Sequence, residues 1–405
     1  MPLISKRGRL IPASPIRKLA GYAAEAKARG VKVYHLNIGQ PDLPTPRKAL
    51  DALRTIDRTT LEYSPSQGMP SLRKTLCGYY SRFGLDVAAD EIIVTSGGSE
   101  ALLLTFMACL DPGDEIILTE PCYANYLSFA ITAGVTVKPV TSRIEDGFAL
   151  PPAEAFEAMI TPRTRAILIC NPNNPTGCLY TPEELERLRQ IVLKHDLYLI
   201  SDEVYREFVY NDTPYVSALS LPDLREHVVV IDSVSKRYSE CGVRIGMMVT
   251  HNKDLYASIL RFAQARLSPP LLGQIVAEAS IEGTEEYSKA CYDEYKARRD
   301  YFIDALNRIP GVYSPMPQGA FYTVASLPVE DAEDFCLWML TEFEYRETPD
   351  SVPETVMMAP AAGFYADRSI GRRLVRMAYV LKIEDLERAV KVLTAALEVY
   401  PGVRR

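Results

Sequence analysis

The sequence predicts an α/β protein, with a large domain whose mainly parallel seven-stranded sheet lies between helices, and a smaller α+β domain built from both chain ends. The chain has 405 residues, more than a single hydrophobic core usually holds. Residues 91–250 alternate short apolar runs with longer amphipathic stretches, a pattern typical of a parallel sheet covered by helices. Beyond residue 285 a long charged stretch precedes a looser mixture of elements, which indicates a second architecture.

Seven apolar runs are predicted as the strands of the large sheet. Several of them carry β-branched residues at successive positions, as strands that are buried on both faces do. The runs comprise residues 91–96, 115–120, 135–140, 166–170, 197–201, 228–233 and 245–250.

The helices between these strands are predicted from their starting sequences. Residues 181–196 open with Thr, Pro, Glu and Glu, which favour a helix start. Ser99 is predicted as the N-cap of a helix that extends to residue 110.

The C-terminal part is predicted to begin with one long helix over residues 285–309 that joins the two domains. Further strands are predicted at residues 321–326, 356–360 and 374–380, with helices at 331–342 and from Glu384 onward. We therefore predict a large domain over residues 47–290 and a small domain formed by residues 1–46 and 291–405.

The composition indicates an ordinary globular enzyme. Hydrophobic residues make up 47% and charged residues 24% of the chain, and the formal net charge is −7. A negative balance argues against a general nucleic-acid or membrane-surface binder. The basic start is not followed by the apolar stretch of a secretory signal, and the eight cysteines and four histidines show no metal-binding spacing. We expect a cytoplasmic protein with reduced thiols and no metal.

Lys236 directly follows the predicted strand over residues 228–233. Open α/β sheets bind ligands at the carboxyl ends of their strands. A lysine amine there forms a Schiff base with a carbonyl compound, provided that its surroundings keep it partly unprotonated. By itself, the motif also fits a solvated lysine at a strand end, which is the commoner case.

A second strand end carries a carboxylate and a phenol. Asp202 follows the apolar run 197–201, and Tyr205 lies three residues further on. A carboxylate beside the ring nitrogen of a pyridoxal cofactor keeps that nitrogen protonated, and a phenol can donate to the 3-oxygen of the ring. A capping aspartate and a half-buried tyrosine explain the pattern equally well.

The loop over residues 169–177 is rich in Asn and Pro and closes with Gly. Asn174 in this loop is a candidate amide donor to the same 3-oxygen. The alternative is a simple turn.

A possible phosphate site lies in residues 95–102, which join a strand to a helix and contain Gly97, Gly98 and Ser99. Glycines let the backbone approach a phosphate, and a helix N-terminus favours an anion. Arg244, eight residues after Lys236, adds the positive charge that a phosphate dianion needs. An ordinary strand–helix turn is the alternative.

Two further residues are candidates for ligand contacts. Tyr123 follows a strand and could stack on a pyridine ring, although packing alone is a common role for such a tyrosine. Arg376 lies inside the predicted strand 374–380, where a bidentate guanidinium suits a substrate carboxylate. Otherwise it extends to solvent or pairs with an acid.

Taken in order, these motifs resemble those of the class I/II aminotransferases of the aspartate aminotransferase superfamily, which are fold type I pyridoxal-phosphate enzymes. The similarity extends from about residue 14 to the C-terminal helix. The matching segments are LNIGQPD (36–42), YSPSQGMPSLR (63–73), TSGGSEA (95–101), PCYANY (121–126), NPNNPTG (171–177), SDEVY (201–205), SVSKRYSECGVRIG (233–246) and VRMAYV (375–380).

The resemblance implies a role for each matching residue around pyridoxal 5'-phosphate. Lys236 is the implied Schiff-base lysine and proton shuttle, with Asp202 at the pyridine nitrogen. The implied ring contacts are Asn174, Tyr205 and Tyr123, the phosphate contacts are Gly97, Gly98, Ser99, Ser233 and Arg244, and the α-carboxylate contacts are Arg376, Gly39 and Asn174. Tyr63 is implied to reach the phosphate of the partner subunit, which makes a homodimer the expected assembly.

The implied reaction is transamination between an L-amino acid and a 2-oxo acid. Aspartate with 2-oxoglutarate is favoured, followed by alanine or aromatic amino acids. Arg266 either binds an acidic substrate side chain or belongs to a surface or interface ion pair. A carbon–sulfur lyase or a cyclopropane-forming synthase would keep the same cofactor residues. A regulator with this fold is the non-enzymatic alternative, and it is disfavoured because LNIGQPD begins at residue 36 and the net charge is negative.

Overall fold

The computed structural model describes residues 2–404, which contain fourteen α-helices and twelve β-strands. The helices are α1 (Lys6–Leu10), α2 (Ala20–Ala28), α3 (Arg47–Arg54), α4 (Pro70–Ser81), α5 (Gly98–Cys109), α6 (Asn125–Ala133), α7 (Ala153–Glu157), α8 (Pro182–His195), α9 (Val234–Arg237), α10 (Lys253–Ala265), α11 (Leu271–Ile281), α12 (Glu285–Asn307), α13 (Ala332–Thr341) and α14 (Ile383–Val399). The strands are β1 (Lys32–His35), β2 (Ile92–Thr95), β3 (Glu115–Glu120), β4 (Thr136–Thr141), β5 (Thr164–Cys170), β6 (Tyr198–Asp202), β7 (Val228–Ser233), β8 (Gly246–Val249), β9 (Tyr322–Ser326), β10 (Glu354–Met357), β11 (Ala359–Pro360) and β12 (Leu374–Ala378).

The large sheet has seven strands in the order β2-β8-β7-β6-β5-β3-β4. All its neighbours pair in parallel except β8, which is antiparallel to both β2 and β7. Each of the seven predicted runs overlaps one of these strands, so the predicted fold class is confirmed. The register places Cys170 opposite Asp202, and Ser233 opposite Gly246. Strands β5 and β6 therefore end side by side at one edge of the sheet, and β8 begins at the same edge beside the end of β7.

Two layers of apolar side chains cover the faces of this sheet. Ile167 and Ile169 of β5 pack with one hydrophobic cluster, whereas Ala166 and Leu168 pack with the other. Because successive strand residues point to opposite faces, this division shows that β5 is buried on both sides. The continuous apolar runs in the sequence have this physical cause.

The structure confirms one predicted helix start and corrects another. Helix α8 begins after Thr181, whose hydroxyl accepts from the Glu184 backbone N–H at 3.2 Å, while the Glu184 carboxylate accepts from the Thr181 N–H at 2.8 Å. The prediction of Ser99 as the N-cap of α5 was wrong, because Gly97 occupies that position and Ser99 lies in the first turn. Gly97 has φ +81°, a backbone conformation that turns the chain sharply and that glycine adopts without strain.

The remaining strands form two smaller sheets. Strands β11, β12 and β9 form an antiparallel sheet, and β1 pairs in parallel with β10. The predicted strand 356–360 is divided between β10 and β11, which belong to different sheets. The long helix predicted over residues 285–309 is α12. The division of the chain at residues 46/47 and 290/291 into two domains stays a prediction.

Within residues 2–404, no helix combines the length and apolarity needed to cross a membrane. The same residues contain no group of three or more His, Cys, Asp or Glu side chains arranged to hold a metal ion.

Candidate active site

Lys236 lies in the short helix α9, immediately after β7. The Ser233 hydroxyl caps this helix by accepting from the Ser235 backbone N–H at 3.2 Å. The Lys236 Nζ donates to the Gly39 carbonyl at 3.0 Å and lies 3.7 Å from the Cys241 sulfur. The amine therefore points across the strand ends toward the segment that contains Gly39.

The surroundings of Lys236 act on the pKa of its amine in two opposite directions. Burial by itself lowers the pKa of the Lys236 amine, but Tyr322, Cys241 and Tyr123 outweigh burial and leave this pKa above its usual value. In the chain without a ligand, the phenols of Tyr322 and Tyr123 and the thiol of Cys241 thus favour the protonated form of the Lys236 amine.

Asp202 ends strand β6 and is fully enclosed. Its Oδ2 accepts a hydrogen bond from the Tyr126 hydroxyl at 2.6 Å. Burial raises the pKa of Asp202 to about 6, although the Tyr126 hydrogen bond opposes this shift. The carboxylate thus lies at a strand end with a pKa close to neutrality, so that its charge responds to any cation placed beside it.

Asn174 joins two other predicted site residues. Its Nδ2 donates to the Tyr205 hydroxyl at 3.4 Å, and its Oδ1 accepts from Arg376 Nη1 at 3.3 Å. Arg376 also donates to the Asn37 carbonyl. The Arg376 side chain is 1% exposed, and within residues 2–404 no carboxylate forms a salt bridge with it. Burying a guanidinium without an acid is costly, and the neutral Asn174 and Asn37 acceptors leave its charge uncompensated.

The turn before helix α5 forms a narrow cradle. A side chain at Gly97 would place its Cβ 2.3 Å from Arg244 Nη2, and one at Gly246 would place its Cβ 2.4 Å from the Gly97 carbonyl carbon. The Arg244 guanidinium is held over the turn by the carbonyls of Cys241 at 2.9 Å and Ser96 at 3.4 Å. Glycine at both positions is therefore required for the arginine to lie over the helix start.

The remaining predicted residues differ in their surroundings. Ser233 donates to the Ile245 carbonyl at 2.8 Å, and Tyr123 accepts from Asn125 Nδ2 at 2.7 Å. Gly98 and Ser99 open helix α5. By contrast, Tyr63 is 77% exposed on the surface of the chain.

Comparison with known proteins agrees with this arrangement. The family described as aminotransferase class I and II matches residues 31–393. The chain is 32% identical to the aspartate aminotransferase of Geobacillus stearothermophilus over 406 residues, covering 98% of this chain and 99% of the relative.

The chain belongs to the class I and II aminotransferases.

Two further relatives also match nearly the whole chain, but they have different names. The aspartate/prephenate aminotransferase of Thermus thermophilus is 31% identical to this aminotransferase, covering 96% of this chain and 97% of the relative. The solved structure of the alanine aminotransferase from Pyrococcus furiosus superimposes with a TM-score of 0.88 at 31% identity, covering 97% of this chain and 99% of that one. Relatives that are named for different substrates thus match nearly the whole chain.

Sequence reasoning missed two tyrosines in the aminotransferase site. The Tyr322 hydroxyl lies 3.0 Å from the Tyr205 hydroxyl and donates to the Gly39 carbonyl at 3.3 Å. Its ring lies beneath the Arg376 guanidinium, 4.8 Å from the centroid. A side chain on Gly39 would collide with Tyr322, so the glycine allows this close packing. The second tyrosine is Tyr126, three residues after Tyr123 at the start of α6; this proximity to Tyr123 in the chain was the available signal.

Arg266 is already engaged within the chain. Its Nη2 donates to the carbonyls of Ser66 at 3.1 Å and Val94 at 3.2 Å, and its Nε lies 3.5 Å from a carboxylate oxygen of Glu100. Of the two alternatives for Arg266, this geometry corresponds to the ion pair.

Proposed function

We propose that this aminotransferase uses pyridoxal 5'-phosphate to transfer an amino group between an L-amino acid and a 2-oxo acid such as 2-oxoglutarate, with aspartate as the favoured amino acid. The observation that carries the proposal is the buried Arg376 guanidinium without an acidic partner. It donates to the Asn37 carbonyl, while the Lys236 amine donates to the Gly39 carbonyl two residues further along the same segment. One short segment thus brings a carboxylate-binding cation and a reactive amine together.

The residues present fit pyridoxal phosphate. The Gly97 turn at the start of α5 leaves room for a phosphate that a side chain would fill, and Arg244 lies over it without a carboxylate partner among residues 2–404. Gly98, Ser99 and Ser233 lie at the same strand ends and would complete the phosphate contacts. Asp202 provides the carboxylate for the ring nitrogen. When bound, the cofactor supplies an aldehyde that condenses with amines and a ring that accepts electrons from the substrate α-carbon.

Each side chain would then perform one task. Lys236 would hold the cofactor covalently and, once the substrate amine has displaced it, carry the proton from the substrate α-carbon. Asp202 would keep a proton on the ring nitrogen. Asn174 and Tyr205, whose side chains already contact each other, would both donate to the 3-oxygen, and Tyr123 would cover the ring face.

The substrate α-carboxylate would bind to the Arg376 guanidinium, with Asn174 and Gly39 beside it. A planar fork with two parallel N–H donors matches a carboxylate and orients the α-carbon. Because the guanidinium is buried, this interaction would be stronger than an exposed ion pair.

A homodimer is proposed from the surface around Tyr63. Leu61 and Leu267 are 61% and 53% exposed, and the Ser66 hydroxyl donates to the Leu267 carbonyl, which brings the two segments together. Exposed apolar side chains gathered on one face are typical of an interface. In such a dimer, Tyr63 of one subunit would reach the phosphate that the other subunit binds.

Aspartate is favoured as the amino acid because relatives at 32% and 31% identity carry that substrate in their names. Alanine or an aromatic amino acid is the second candidate. It is supported by Arg266, whose charge is already matched by Glu100, so that this arginine offers little to a substrate carboxylate.

The test is the visible absorption of the purified protein with added pyridoxal phosphate, before and after L-aspartate. We expect a band that aspartate converts to the aminated-cofactor form and that 2-oxoglutarate restores. If alanine or tyrosine, but not aspartate, converts the band, the preferred substrate is the second candidate, alanine or an aromatic amino acid. Release of ammonia and pyruvate without a 2-oxo acid requirement would indicate a lyase.

The control variants are two lysine substitutions. Lys236→Ala should show no covalent band, whereas Lys253→Ala, which removes a surface lysine paired with Asp90, should behave as the unmodified protein. A normal band in Lys236→Ala would contradict the proposal.

A further inference from the structure

A buried cluster of charged side chains lies behind the strand ends that carry the proposed cofactor residues. Glu203, Arg206, Asp232 and Arg237 are each at most 3% exposed. Asp232 is at its centre, because its Oδ1 lies 2.7 Å from Arg237 Nη2 and its Oδ2 lies 3.6 Å from Arg206 Nη2. Burying four charges costs several kcal/mol per ion, and apolar residues of similar volume are often at least as stabilising. Stability alone therefore gives no reason for this cluster.

Every member of the cluster is a chain neighbour of a proposed site residue. Successive side chains on these segments point in different directions, so one residue of each pair faces the ligand site and the other faces the interior. The four pairs are Asp202–Glu203, Tyr205–Arg206, Ser233–Asp232 and Lys236–Arg237.

The ion pairs connect the two segments to each other. Arg206, from the segment after β6, contacts Asp232 of β7 and also donates to Glu203 at 3.1 Å. A second contact starts from the other segment: Arg237, which follows β7, lies 3.7 Å from the carboxylate of Glu207, which follows β6. The cluster therefore ties residues 202–207 to residues 232–237 at two points.

Helix α4 closes the cluster from the other side with two tyrosines. The Tyr80 hydroxyl donates to Asp232 Oδ2 at 3.0 Å, and the Tyr79 hydroxyl donates to Glu207 at 2.9 Å. The Arg237 guanidinium lies 4.3 Å from the Tyr79 ring centroid, and the Arg206 guanidinium lies 4.9 Å from that of Tyr80. Cation–π contacts and hydrogen bonds of this kind fix orientation as well as charge.

We infer that Asp232, Arg206 and Arg237 are positioning residues that hold the Lys236 amine and the Asp202 carboxylate at a fixed separation. The inference rests on the proposed function, because those two groups are the ones that would engage opposite ends of the cofactor ring. The cluster touches neither the cofactor nor the substrate and acts through its chain neighbours. A displacement of either segment would separate the amine from the aldehyde that it must attack.

The test measures how fast pyridoxal phosphate develops its visible band on the cofactor-free full-length protein. Asp232→Asn and Arg237→Met are each expected to slow this rate at least about 10-fold, because each leaves an uncompensated buried charge. The double variant removes one charge of each sign and should recover part of the loss. In each variant kcat should fall in proportion, while KM for the amino acid changes less than about threefold, because Arg376 is not disturbed.

Tyr80→Phe and Arg388→Met separate positioning from a general loss of stability. Tyr80→Phe removes only the hydroxyl that contacts Asp232, keeps the packing, and should slow the band about threefold. Arg388→Met removes two contacts to Glu354, at 2.9 and 2.6 Å, outside the site. It should lower the unfolding temperature and leave the rate unchanged.

Two outcomes would overturn the inference. One is an unchanged rate in Asp232→Asn, Arg237→Met and Tyr80→Phe. The other is that Arg388→Met slows band development as much as the three cluster variants do, when it also loses the same amount of stability as they do. If the unmodified protein itself develops no band, the proposed function fails instead.

Discussion

Asn174 Oδ1 and Arg376 Nη1 lie 3.3 Å apart, although 202 positions separate the two residues in the chain. The asparagine comes from the loop after a strand of the seven-stranded sheet, and the arginine comes from the three-stranded sheet. This contact joins the two sheets at the place where the substrate carboxylate is proposed to bind. Any change at either residue is therefore expected to affect substrate binding before it affects the fold.

Arg376→Met should weaken substrate binding without weakening the protein. Loss of a buried charge partner for a carboxylate costs about 2 kcal/mol or more, so KM for the amino acid should rise about thirtyfold. The cofactor-free variant should unfold at the same or a higher temperature, because the buried guanidinium has no acidic partner within residues 2–404. Steady-state kinetics and thermal unfolding check both parts. Arg372→Met, which removes an exposed arginine paired with Asp331, is the control. An unchanged KM in Arg376→Met would refute the carboxylate role.

Asp202→Asn should stabilise the cofactor-free protein at neutral pH while abolishing transamination. Because burial raises the pKa of Asp202 from 3.8 to about 6, the folded state keeps a proton that the unfolded state releases between these pH values. The contribution of Asp202 to the free energy of unfolding therefore falls by up to about 3 kcal/mol as the pH rises from about 4 to about 6. Denaturant unfolding of both proteins at pH 4 and pH 8 measures the difference. The gain should be present at pH 8 and small at pH 4; equal differences at both pH values would contradict the assigned pKa.

Arg266→Met should reduce activity with aspartate and with alanine by the same factor. The guanidinium is held by the Ser66 and Val94 carbonyls and by Glu100, so its loss loosens the segment behind the Gly97 turn without removing a substrate contact. The ratio of kcat/KM for the two amino acids is the measurement. A drop confined to aspartate, by about tenfold or more, would instead assign Arg266 to the substrate side chain.

Thr181→Ala should destabilise the protein by about 1 kcal/mol through loss of the capping box of α8. The helix lies on the outside of the large sheet, so the activity of the folded protein should not change. Thr181→Ser keeps the hydroxyl acceptor and should retain most of the stability. Denaturant unfolding with both variants tests this, and equal losses in the two would show that the hydroxyl is not the stabilising group.

The sequence by itself determined the seven strands of the large sheet, the helix start at Thr181 and the identity of the strand-end residues. These features are local, because a strand buried on both faces requires a continuous apolar run and a helix start requires particular side chains within four positions. The family motifs added Lys236, Asp202 and Arg376 as a set, since the first two lie at strand ends and the third lies within a strand that is visible in the sequence. The error at Ser99 has a local cause as well, because the φ of +81° at Gly97 moved the cap by two residues.

Only the tertiary structure decided which side chains meet across the strand ends. Tyr322 lies beside Tyr205 from 117 positions away, and Tyr126 reaches Asp202 across 76 positions. The pairing of Arg266 with Glu100 and the cluster around Asp232 were likewise not predictable from spacing. Such contacts depend on how the sheets and helices pack, and charged side chains occur so widely on protein surfaces that their sequence positions do not reveal which of them become buried together.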